Sequence, residues 1–338
     1  MTPTDLTDEI LKEIASGPAW FPQAFDPASD RVLMVHRKEE DYRAASFLDQ
    51  RSLSPDVQRQ ILSWTQMASA VPADARKDSH YIFHIGHVGS TLISRLLGEE
   101  PEFLCLREPL LIRAFAEVSA EIRAARIEAL QKLLSRTFRP HQRALIKATS
   151  YTSEIAPELV TPGCRVLFLY ARPQAYIEGI LAGDASRQEL QVLAPSRRAR
   201  LARRCPDLTL PQSEAMLAAE AWACEMTSLE KAAASFPGGD VMWLDFDRFL
   251  EDPARHLLAL SEYFGRPMAP SRAEEICAGP LMRRYSKALE YEYSPQLRQE
   301  VLAEARGVHG PAIEQALGWL RQGSEHCPLL AQAIERAS

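Results

Sequence analysis

Residues 80–98, HYIFHIGHVGSTLISRLLG, gather glycines, hydroxyls and imidazoles in a stretch suited to holding an anion. Tyr81, Ile82, Phe83 and Ile85 predict a strand. Gly86 and Gly89 permit a tight turn, and Ser90 and Thr91 open a helix with Leu92, Leu96 and Leu97 on its sheet-facing side. The first amides of such a helix have no intrahelical acceptor, so Gly86, His87, Val88, Gly89, Ser90 and Thr91 form a candidate phosphate cradle. A Walker loop, GxxxxGK[ST], carries a lysine before the hydroxyl. Here Ser90 follows Gly89 directly, and without the lysine that grips β and γ phosphates, ATP hydrolysis is disfavoured. A strand-turn-helix unit with no ligand is the bland alternative. His80, His84 and His87 invite a zinc reading, but no nearby carboxylate or thiolate completes a ligand set, and no metal is expected.

Other chemistry-bearing residues follow apolar runs. Glu108 stands after FLCLR, Lys147 ends ALIK, and Arg172 follows RVLFLYA. A carboxylate there is a plausible proton acceptor for a hydroxyl, or simply the start of the next helix. A lysine flanked by apolar residues suits charge stabilisation at a leaving group. An arginine offers paired donors to a phosphate, or a structural salt bridge. Arg283 and Arg284 stand in MRRYSK, with Tyr285, Ser286 and Lys287, as a basic loop near the C-terminus. SRRARLARR puts Arg197, Arg200 and Arg204 on one helical face, for anion steering or plain solvation.

These residues need a scaffold, and the alternation of YIFHI, FLCL, ALIKA, RVLFLY and VMWL with helix-like sequence predicts an α/β fold with a mainly parallel central sheet flanked by helices. Ligands in such sheets meet the ends of strands where helices begin. Residues 1–75 read as a mostly helical extension. Leu6, Ile10, Leu11 and Ile14 share a face, RVLMVH is a short strand, and a helix capped by Ser54 and Pro55 carries Val57, Ile61, Trp64 and Ala68. Residues 76–338 form the α/β domain, with a helical C-terminal third after Asp252. Pro253 starts a helix burying Leu257, Leu260 and Phe264 that Gly265 stops. Asp245 closes the last strand.

The chain has 338 residues, 46% hydrophobic and 25% charged, with net charge −6. That balance argues against general nucleic-acid binding, and no apolar run is long enough to span a membrane. The N-terminus lacks the basic and apolar regions of a signal peptide, so the cytoplasm is the expected address. Six scattered cysteines read as buried thiols rather than a disulfide framework. Oligomeric state is not legible.

The loop at 86–91 resembles the 5′-phosphosulfate loop of PAPS-dependent sulfotransferases, PxSGTT with a basic residue at x. His87 stands at the basic position and Val88 at the first serine. The resemblance extends through ARP at 171–173, where Gly179 occupies the position of an expected serine with Ser186 as a substitute, and through WLDFDRFLEDP at 243–253. It implies a P-loop NTPase-like sulfotransferase fold and PAPS as sulfonate donor. It also implies Arg172 toward the 3′-phosphate, Arg284 toward the 3′-phosphate or the adenine, Lys147 at the bridging oxygen, and Glu108 as base, with His84 and His87 in reserve. The acceptor would be a small molecule, carbohydrate or peptide bearing a hydroxyl or amine. Two other readings stay open: a non-catalytic protein on this fold, and a kinase-like phosphotransferase.

Overall fold

The computed structural model describes residues 3–237, 240–284 and 292–338. Its five-stranded sheet contains β4 (His80–His84), β5 (Phe103–Arg107), β6 (Arg143–Lys147), β7 (Val166–Tyr170) and β8 (Val241–Asp245) in the order β5-β6-β4-β7-β8. Every pairing is parallel. Burial on both faces explains why these runs read as continuous Ile, Leu, Val and Phe rather than alternating sequence. Because the connection after β4 runs to the edge strand β5 while that after its neighbour β7 runs the other way to β8, the loop after β4 sits at the topological switch point, where a crevice opens between strand ends.

Helices cover both faces. α4 (Ser90–Leu97) follows β4. The group α5 (Leu110–Glu117), α6 (Ala120–Ala124) and α7 (Ile127–Leu134) separates β5 from β6, and α8 (Ala156–Leu159) precedes β7. Between β7 and β8 come α9 (Pro173–Leu181), α10 (Asp184–Ala202) and α11 (Glu214–Ala233). The C-terminal third is helical as anticipated: α12 (Phe246–Glu251), α13 (Pro253–Tyr263), α14 (Pro270–Ala278), α15 (Pro295–Ser324) and α16 (Pro328–Arg336). Asp252 caps α13 by accepting from the Arg255 amide, Leu257, Leu260 and Phe264 are buried, and Gly265 ends the helix region at φ 69°. α4 is buried all round, on more than the single leucine face.

The lead-in differs from its reading. Before the parallel sheet come α1 (Pro3–Ser16), β1 (Trp20–Asp26), β2 (Arg31–His36), α2 (Glu39–Ala44), β3 (Arg59–Ser63) and α3 (Trp64–Ala70). β1, β2 and β3 form an antiparallel sheet. The helix expected from Ser54 is instead a loop and a strand, and helix begins only at Trp64. Ser63 and Gln66 make a reciprocal capping box there, a stronger start signal than Ser54 with Pro55. Ile61 is consequently exposed while Trp64 is buried, so the two share no helical face. The lead-in packs onto the main sheet's helices: Trp64 and Phe25 lie 5.3 and 6.0 Å from the Phe115 ring. Arg136 donates to the carbonyls of Ile14, Gly17 and Trp20.

Two further expectations are corrected. Cys205 and Cys327 form a disulfide, whereas Cys105, Cys164, Cys224 and Cys277 are free. The SRRARLARR face is neither solvated nor open for steering. Arg197 and Arg200 pair with the buried Glu225, and Arg204 pairs with Glu154. A basic stripe reads as surface only until acidic partners on α11 are folded against it.

Candidate functional site

The strand-loop-helix unit forms as its residues require. Gly86 and Gly89 take φ of 81° and 63°, and His87, at 54°, shares this left-handed region. A side chain at Gly89 would place Cβ 1.9 Å from Cε2 of Phe246, so the loop backbone lies directly on that ring. The first helical bond runs from the Ile93 amide to the Gly89 carbonyl, leaving the amides of Ser90, Thr91 and Leu92 without an intrahelical acceptor. Thr91 is buried, and its Oγ1 meets no hydrogen-bond partner among the described residues. A buried hydroxyl beside free helix amides fits an oxyanion ligand.

A cavity of about 300 Å³ covers this loop. His84, His87, Val88, Gly89, Ser90 and Thr91 floor it, and Gly179, Ser186 and Arg284 reach it from other elements. The predicted positions His87 to Thr91 and Arg284 are thereby brought together, whereas Gly86, Glu108, Lys147 and Arg172 do not line this cavity. Tyr285, Ser286 and Lys287 lie outside the described residues. Sequence reasoning missed the far wall, Leu297, Arg298, Val301 and Leu302 of α15, and the Phe246 ring. Arg298 is held there by Asp247 at 2.9 Å and lies 5.3 Å from the Phe246 ring. No local motif marks a helix that long after the loop as its lid.

The imidazoles are committed to structural partners. The Gly86 amide donates to His84 Nδ1 at 3.0 Å, which places the neutral ring's proton on Nε2 and makes His84 a donor rather than a base. His87 Nε2 lies 3.3 Å from Glu189 Oε1 on α10. His80 is turned away from the cavity: its Nδ1 accepts from the Arg165 amide, and its ring stacks on Phe264. Burial lowers its pKa to about 4. Among the described residues, no cluster of His, Cys, Asp or Glu has the geometry to hold a metal ion.

Glu108 and Lys147 meet each other. The Lys147 ammonium, wholly buried, donates to Glu108 Oε1 and lies 5.2 Å from the Phe47 ring centroid. The Glu108 amide donates to the Lys147 carbonyl at 2.7 Å, and Glu108 takes φ 52°, so main chain and side chain join the same two residues. Glu108 does not begin the helix; Pro109 is its N-cap. The pair does not line the cavity. It stands on the same sheet edge, since Lys147 ends β6 beside β4 and the Ala148 amide bonds the Ile82 carbonyl.

Arg172 lies apart from the loop cavity, half-exposed, with Nε 3.3 Å from Asp245. It opens onto an adjoining cavity of about 420 Å³, which shares Arg298 and Leu302 with the first. There Arg306 makes a bidentate pair with the buried Glu178.

No protein-family profile and no curated protein matches the chain. Among solved structures it is similar to mouse sulfotransferase SULT7A1 complexed with PAP, at 12% identity and TM-score 0.45, covering 78% of this chain and 90% of that one. It is similar also to the sulfotransferase domain of the curacin biosynthetic pathway, at 12% and 0.44, covering 67% and 87%. Retinol dehydratase in complex with retinol and PAP overlaps at 11% and 0.40, covering 97% and 96%.

Proposed function

We propose that this chain is a sulfotransferase that moves the sulfonate of PAPS to a hydroxyl or amine acceptor. The observation that carries the reading is the buried Thr91 Oγ1, without a hydrogen-bond partner among the described residues, beside the helix-start amides of Ser90 and Thr91, on a loop without the Walker lysine. The amides of Gly89, Ser90 and Thr91 would hold the 5′-phosphosulfate end, and Arg284 with Ser186 would serve the nucleotide end. Bound PAPS supplies an activated sulfonate. Glu108 would take the acceptor's proton, and the Lys147 ammonium would offset negative charge at the leaving oxygen. The Lys147 contact orients Glu108 through Oε1, while its other oxygen has no hydrogen-bond partner among the described residues.

One observation favours a second reading, a non-catalytic binding protein on this fold. Arg172 is engaged by Asp245, and His87 by Glu189, so two groups suited to anions already have acidic partners. Thermal unfolding with and without 3′-phosphoadenosine-5′-phosphate tests the loop assignment. The wild type should be stabilised and Thr91→Val much less so, whereas equal stabilisation of both would remove Thr91 from the site.

A further inference from the structure

A second cavity, of about 570 Å³, lies in the lead-in, outside the site described above. Arg37, Asp41, Ser46, Arg51, Ser52 and Ser54 line its polar side. We propose that this cavity binds the acidic group of a small organic anion, a sulfate, sulfonate or phosphate ester, with Arg37 and Arg51 as its charged clamp.

Arg37 carries the argument. Its side chain is 3% exposed, and no carboxylate among the described residues forms a salt bridge with it. Its Nη2 donates to Gln23 Oε1 and Ser52 Oγ, both at 2.8 Å, while Nε is buried with no partner among the described residues. Its side-chain hydrogen bonds go to neutral groups and the Asp41 carboxylate acts on it only through space, so a bound anion would complete a buried cation that is otherwise costly. Burial correspondingly lowers its pKa. The holding is built into the sheet: the β1–β2 register shifts between Pro22 and Ala24, and Gln23, at that bulge, turns inward to Arg37 and to the Leu48 carbonyl.

The surroundings add further guanidiniums. Arg95 takes the Ala44 carbonyl, and Arg107 takes those of Tyr42, Arg43 and Ala45, so the segment's carbonyls are occupied by two more guanidiniums. Two carboxylates lie close. Asp41, on the lining, accepts from the Lys38 amide, and Asp49 accepts from Arg51. The volume exceeds that of a bare oxyanion, and Ala45, Leu53 and Val57 add an apolar side, which selects an organic carrier.

Titration of the full chain with benzenesulfonate, beside inorganic sulfate at constant ionic strength, tests this by calorimetry. Saturable benzenesulfonate binding, tighter than sulfate, should weaken at least tenfold in Arg51→Gln and vanish in Arg37→Gln. Arg51 is largely exposed, so Arg51→Gln decides the matter should Arg37→Gln fail to fold. No saturable binding in the millimolar range, or binding that survives these substitutions and so belongs to the Thr91 loop, would overturn the proposal. Equal affinity for sulfate and benzenesulfonate would overturn the organic specificity.

Discussion

The ammonium of Lys147 donates to the carboxylate of Glu108, and the amide of Glu108 donates to the carbonyl of Lys147 at 2.7 Å. The last residue of β6 and the residue after β5 are thus locked in both main chain and side chain, at the edge where the loop after β4 emerges. The buried lysine has its charge balanced there, and the glutamate has its direction fixed. Removing the carboxylate leaves that ammonium buried without its anion. Glu108→Ala should cost up to about 3 kcal/mol, the low end for a broken buried pair because solvent reaches Glu108. Urea unfolding measures this. The double variant Glu108→Gln with Lys147→Met should recover much of the loss, and a double variant no more stable than Glu108→Ala would show the pair is not coupled.

Gly89 tests the loop. Its φ of 63° costs a side chain about 1–2 kcal/mol, and its Cβ would collide with Phe246. Gly89→Ala should therefore lower stability by more than the backbone term alone. Adding Phe246→Leu should return part of that loss, readable as a shift in the urea midpoint.

His80 gives a pH dependence. Its folded pKa of about 4 lies below the ordinary 6.5, so the unfolded chain binds the extra proton between those values. Its contribution is full above pH 6.5 and is lost as pH falls toward 4, totalling on the order of 3 kcal/mol. His80→Gln should flatten the difference in urea midpoint between pH 7 and pH 5, and an unchanged slope would assign it elsewhere.

The Cys205–Cys327 bond spans a sequence separation of 122 and joins the end of α10 to the start of α16. Closing so long a loop constrains the unfolded chain, and Cys205→Ser should lower stability by about 4 kcal/mol. Comparing wild type and variant, each with and without reductant, checks this; reductant should affect only the wild type.

Local pattern made the parallel sheet legible, because strands buried on both faces leave continuous apolar runs such as VLFLY. The tight turn after β4 was legible because Gly86 and Gly89 mark positive φ. The antiparallel lead-in was less so. β3 carries Arg59, Gln60 and Ile61 in an order that satisfies neither period cleanly, and its pairing with β2 decides its form. The α15 wall, the Glu225 partners of Arg197 and Arg200, and the disulfide all depend on residues distant in sequence. No spacing rule carries that information.

The most direct measurement is calorimetric titration of the purified chain with 3′-phosphoadenosine-5′-phosphate, beside ATP with Mg²⁺. The proposal predicts saturable binding of the bisphosphate, weakened by Thr91→Val, and little heat from ATP. Preference for ATP, or binding of neither nucleotide, would contradict it.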